Sequence, residues 1–187
     1  MYKDSSLKLK AVFEKYRCLK GICFNARERA KSDPTNFVRT ISLPFPGKEV
    51  KNRRKYIANY FDELQKSIFD YSFLDLVAIF EEIVFSKISN ASGEIKRIVK
   101  DEYSKAPFRE SAASFVKDKD DIYNLSGVRK LLEGKIPQEM SADLAGTLEH
   151  RNYLAHGKRV GIGKQSTLCN TDELYEILQN ILSIINK

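Results

Sequence analysis

Apolar residues recur along most of this chain at the three-to-four spacing of amphipathic helices. In residues 5–31, Val12, Tyr16, Leu19 and Cys23 share one side with many Lys and Arg elsewhere, which predicts a first helix ended by Asp33-Pro34. Residues 35–50 place Pro44, Pro46 and Gly47 among Phe37, Val38, Ile41, Leu43 and Phe45, the pattern of an extended connector pinned by apolar side chains, with room for a short strand. Residues 56–90 predict one long helix, or two with a bend near 70–72. Over 69–88 it is apolar on most sides, and such a helix is central in its fold or covered by a partner subunit. Asn90-Ala91-Ser92-Gly93 predicts a turn, followed by a short helix before Pro107. Lys117-Asp118-Lys119-Asp120-Asp121 reads as a solvated loop, and residues 128–132 as a helical piece closed at Gly134. A further helix is expected from Pro137 or Ser141 to His156. The last has Thr171 as its predicted N-cap, Asp172 and Glu173 in the first turn, and Leu174, Ile177, Leu178, Ile181, Leu182 and Ile185 on one stripe.

The helix ending at His156 carries the chemistry. Leu144, Leu148, Arg151 and Ala155 fall at i, i+4, i+7 and i+11, so a permanent guanidinium is predicted on an otherwise apolar stripe. Asn152 and His156 are spaced i, i+4, so the amide is expected to orient the imidazole. Gly157 is the expected left-handed stop, which leaves His156 in the last turn. His150, about 100° round the helix from Arg151, is expected at the surface. On the long central helix Glu81 shares a stripe with Leu74, Val77, Val84 and Ile88. It is either a snorkelling or salt-bridged acid, or the acid that pairs with Arg151.

Composition narrows what this chemistry can be. The chain has 187 residues and 42% hydrophobic content, enough for one domain with a core. Nine Gly and five Pro, with long stretches free of both, favour helices. A formal charge of +7 suits a polyanionic partner. Basic clusters stand at Lys51, Arg53, Arg54 and Lys55 and in the loop bearing Lys158, Arg159 and Lys164, each readable as solvated surface or as an RNA-backbone contact. Gly161-Ile162-Gly163 has no preceding strand, so dinucleotide binding is rejected. Three Cys without a CxxC pair and two His argue against a disulfide framework and a zinc or His-rich metal centre, so no metal and no cofactor is expected. With no apolar leader at Met1-Tyr2-Lys3-Asp4 and no long uncharged apolar run, a cytoplasmic protein without a membrane partner is expected.

Residues 148–157 resemble the Arg-x4-6-His signature of the HEPN superfamily, matched by Arg151, Asn152 and His156 with Gly157 behind. The resemblance spans about residues 60–187. It implies an all-α helical bundle of the HEPN type over 51–187, with an N-terminal helical extension and connector at 1–50. It also implies a metal-independent endoribonuclease acting as a toxin or antiviral defence effector, with Arg151, Asn152 and His156 as the catalytic set and Glu81 as a supporting acid. RNA carries its own nucleophile, the 2′-hydroxyl, so an Arg that holds the phosphate and a His that moves protons suffice for transesterification. Residues five apart on a helix differ by about 140° in azimuth and 7.5 Å in rise, so Arg151 and His156 do not point together. A homodimer pairing two motif helices would bring them to one cleft, and a cognate antitoxin or regulatory partner is the other expected contact. The alternatives are a catalytically silent dimerisation or partner-binding module and a basic helical nucleic-acid-binding protein.

Overall fold

A computed structural model describes residues 2–34, 36–37, 50–102, 125–158 and 170–186. Every regular element among them is an α-helix: α1 (Tyr2–Ser32), α2 (Val50–Glu102), α3 (Leu125–Leu132), α4 (Gln138–Ala155) and α5 (Thr171–Ile185). The connector expected over 35–50 lies almost wholly outside the described residues, as does the charged loop at 117–121. Phe37 is described, and it packs beside Phe61 as an apolar pin.

α2 is the axis of the fold. Its 53 residues run about 80 Å without a break. The turn expected at Asn90–Gly93 does not form there, and the helix continues to Glu102. One Gly and one Asn lower helix propensity by only about 1 kcal/mol each, and no Pro interrupts the backbone ladder.

Pairs of side chains set the helix directions. Lys8–Glu82 (2.8 Å) and Arg27–Asp62 (2.7 Å) make α1 antiparallel to α2. Phe13 stacked on Tyr175 (4.1 Å, 4°) and Lys20–Asp172 (3.5 Å) make α1 antiparallel to α5. Arg151–Glu81 and Lys158–Asp70 run α4 antiparallel to α2. The result is an up-down-up-down bundle of α1, α2, α4 and α5, with α3 packed on α4. α1 is built into it, burying Leu9, Tyr16, Cys23 and Ala30 at every seventh position. The main core gathers Leu9, Phe73, Leu76, Phe80, Val128, Leu144, Leu174 and Ile181 from all five helices. A second cluster of Cys23, Ala30, Ile57 and Phe61 closes the far end of the α1–α2 seam.

α5 begins one residue earlier than expected. Asn170, not Thr171, is the N-cap, and its side-chain oxygen accepts from the Glu173 N–H at 2.8 Å. Asn and Thr are both good caps, and here the fully buried Thr171 becomes the first helical residue.

Candidate functional site

The end of α4 is closed by its backbone. His156 is the C-cap, Gly157 takes φ +69, the Gly157 N–H donates to the Leu154 carbonyl (3.1 Å) and the Lys158 N–H to the Tyr153 carbonyl (2.7 Å). This is a Schellman closure, as Gly157 predicts. Lys158 also has positive φ (61°), a conformation that costs a side-chain-bearing residue energy. Its ammonium lies 2.5 Å from the Asp70 carboxylate, which ties the turn to α2.

Of the two readings open for Glu81, the structure shows the pairing with Arg151. Its Nη2 lies 3.5 Å from Glu81 Oε2, and its Nη1 donates to Asn152 Oδ1 at 3.1 Å. The Arg151 side chain is 38% exposed and that of Glu81 17%. Burial raises the Glu81 carboxyl above its ordinary value, and the charge and hydrogen bond of Arg151 oppose that rise only in part. The expected Asn152–His156 contact is replaced, because Asn152 Oδ1 is taken by the neighbouring guanidinium, a stronger donor than an imidazole N–H. Among the described residues no side-chain partner is seen for His156, which is exposed at the helix end.

The buried stripe of α4 is Leu144, Thr147, His150 and Leu154, not Leu144, Leu148, Arg151 and Ala155. The helix is turned by roughly 75° from the sequence expectation. Arg151 consequently flanks the core instead of lying on it, and Ala155 is exposed. His150, expected at the surface, is 4% exposed. It meets the Phe73 ring edge-on at 4.6 Å and 85°, with Phe69 and Tyr153 beside it. An imidazole is a flat, largely apolar ring, so three aromatic neighbours accommodate it where a charged side chain would not fit. The signal was present in the sequence, since 144, 147, 150 and 154 keep helical spacing. Two polar residue types hid it.

Burial pushes the His150 imidazole below its ordinary 6.5; the charge of Asp70 opposes this and that of Lys158 adds to it. The unfolded chain therefore binds more protons than the folded one below pH 6.5, so this group's contribution to stability falls as pH falls through that window. Glu81 has the opposite sign: its raised value makes stability fall as pH rises above the ordinary carboxylate value of 4.5. Urea denaturation at pH 7 and pH 5.5 should show a larger acid loss for the wild-type chain than for His150→Phe. Equal losses would remove the assignment.

The site is thus a seam between α2 and α4, spanned by Glu81–Arg151 toward one end and Asp70–Lys158 toward the other, with His150 buried between them. Asp70 was not foreseen, because an acid on a mostly apolar helix gives no sign of which neighbour faces it. Of the basic residues singled out in the sequence, Arg54 and Lys55 are exposed on α2, and the backbone of Lys51 and Arg53 lies in its first turn. There the helix dipole adds to the positive charge of the cluster. Arg159 and Lys164 lie outside the described residues, as does Cys169; Cys18 is exposed and Cys23 buried. Among the described residues no group of His, Cys, Asp and Glu is arranged to hold a metal ion, and no helix is long and apolar enough to cross a membrane. None of the known protein families, curated proteins or solved structures matches this chain.

Proposed function

We propose that this protein is a metal-independent endoribonuclease of the HEPN type, with Arg151 and His156 as its reacting groups. The observation that carries the reading is at the end of α4. A guanidinium held half-exposed by Glu81 and Asn152 is followed, five residues on, by an exposed histidine at the helix terminus. Arg151 holds the scissile phosphate and stabilises charge building on its oxygens. His156 takes the proton from the 2′-hydroxyl as that oxygen attacks the adjacent phosphorus, or returns a proton to the departing 5′-oxygen. The products are a 2′,3′-cyclic phosphate and a 5′-hydroxyl. One histidine cannot stand on both sides of a phosphate, so the working unit is a homodimer whose two motif helices share a cleft. Asn152 keeps the guanidinium oriented until substrate arrives, while Arg54, Lys55 and their neighbours in the first turn of α2 hold flanking backbone. A toxin or defence role, restrained by an antitoxin or regulatory partner, follows from an activity that destroys RNA.

A second reading is favoured by one observation: Arg151 and Lys158 both already have carboxylate partners. Such a satisfied seam suits a catalytically silent dimerisation or partner-binding module. Incubating the purified protein with an RNA and with DNA of the same sequence, both in EDTA, separates the two. Cleavage of RNA alone, leaving cyclic phosphate ends, is expected from the nuclease. No cleavage of any RNA tested, or cleavage of DNA as well, sinks that mechanism.

A further inference from the structure

The charge of this chain is concentrated in one helix. α1 holds nine of the 32 Lys and Arg and three of the 25 Asp and Glu, so it carries +6 of the formal +7, and the remaining residues balance to within one charge. Its apolar side is spent inside the bundle, where Leu9, Tyr16, Cys23 and Ala30 are buried. On the outside, Lys10, Lys15, Arg17 and Arg29 are exposed, and among the described residues none has a carboxylate at ion-pair distance. The cations of the motif seam differ, since Arg151 and Lys158 are each held by an acid. Cations without acid partners gain most from meeting phosphates, because nothing internal must be given up and counterions are released.

The four residues form two rows. Lys10 and Arg17 are seven residues apart and Lys15 and Arg29 fourteen, so each row keeps its side of the helix and rises about 10 and 21 Å; the rows stand roughly 130° apart and border the two edges of the exposed side. Arg17 lies over the Phe13 ring at 5.9 Å, which fixes its guanidinium. Phe24, 54% exposed, sits near the Lys10–Arg17 row and offers an aromatic face of the kind on which unpaired bases stack. A bilayer surface fits less well. Leu7, Leu19 and Ile22 are exposed too, but they share their side of the helix with Lys15 and Arg29, so α1 has no uncharged outward apolar face to insert.

Lys8 of α1 meets Glu82 and Arg151 of α4 meets Glu81, on consecutive positions of α2. α1 and α4 therefore pack on different faces of α2 at the same height, with their axes more than one interaxial spacing of roughly 10 Å apart.

We propose that the exposed side of α1, through Lys10, Lys15, Arg17 and Arg29 with Phe24, is the docking face for the backbone of single-stranded RNA. The identity of the polyanion rests on the ribonuclease reading; the docking face itself does not need cleavage. The test is fluorescence anisotropy of a labelled 2′-O-methyl oligouridine, which lacks the free nucleophile and so reports binding alone, titrated over a range of KCl. Changing the four cations together to Glu should weaken binding at least about tenfold and flatten the log–log salt slope by two to three, at about 0.7 per lost phosphate contact. The matching Gln set serves if the Glu set does not fold, with a smaller shift in the same direction. An unchanged affinity and slope overturns the proposal, as does a wild-type chain that does not bind the probe. Loss of binding to phosphatidylserine vesicles with RNA binding intact also overturns it, in favour of a membrane face. If the probe binds through α1 but unmodified RNA is never cut, docking stands and the ribonuclease reading falls.

Discussion

Changing His156 to alanine is expected to lower RNA cleavage about 10²–10⁴-fold while leaving RNA affinity within a factor of about two. His156 is exposed at the C-cap, and its backbone N–H donates to the Asn152 carbonyl at 3.0 Å. An alanine keeps that bond and removes only the ring, so the fold should be unaffected. Arg151→Ala is a poorer probe, because it strands the largely buried Glu81 carboxylate and confuses activity with stability. Arg151→Lys keeps the charge beside Glu81 but loses the planar fork, and it should retain the melting temperature while losing most of the rate. Single-turnover cleavage, with anisotropy for binding and circular dichroism for folding, separates these effects. A His156→Ala chain that cuts at the wild-type rate would remove His156 from the reaction and overturn the Arg151–His156 mechanism.

Phe73→Ala should cost about 3–5 kcal/mol, the range for emptying a buried aromatic site. Phe73 is wholly buried near the middle of α2, in the core that α1, α4 and α5 share. Its ring is the edge-on partner of His150 (4.6 Å) and a tilted neighbour of Phe69 (6.0 Å). Removing it leaves both rings facing a void that rigid helices on all sides cannot close. For a domain whose whole stability is about 5–15 kcal/mol, that is a large fraction, and the melting temperature should fall by roughly 10 °C. Tyr71→Ala is the matched control. It lies two residues away on the same helix but is 72% exposed, and its effect should stay within about 0.5 kcal/mol. Urea midpoints for the two variants decide the matter. Similar losses would mean that α2 does not present Phe73 to the core as described.

Much of the architecture was legible from residue order. The stripe Leu174, Leu178, Ile181 and Leu182 placed α5, and Gly134 and Gly157, both with positive φ, closed α3 and α4 where the sequence put them. For Glu81 the sequence leaves two readings open, a snorkelling or otherwise paired acid and a partner of Arg151, and the structure places it 3.5 Å from that guanidinium. Two features depart from what the sequence predicts. Asn90–Gly93 looked like a turn because local propensity disfavours helix there, yet a cost of about 1 kcal/mol per residue cannot stop a helix that has no Pro. The polar type of His150 predicts the surface, whereas three aromatic rings make its site apolar enough to hold a neutral imidazole.

By itself the sequence determined that the chain is helical, where most of its helices begin and end, and which residue types stand at the end of α4. Those properties depend on contacts within a turn or two, and periodicity, caps and glycines encode them directly. Only the tertiary structure decided which side of α4 is buried, that Asn152 turns to Arg151, that Lys158 closes on Asp70, and that Lys10, Lys15, Arg17 and Arg29 of α1 stand exposed with no carboxylate at ion-pair distance among the described residues. These depend on how helices rotate against one another when their apolar areas are buried together. A rotation of about 75° changes which residues are buried without altering the spacing of any residue along the chain.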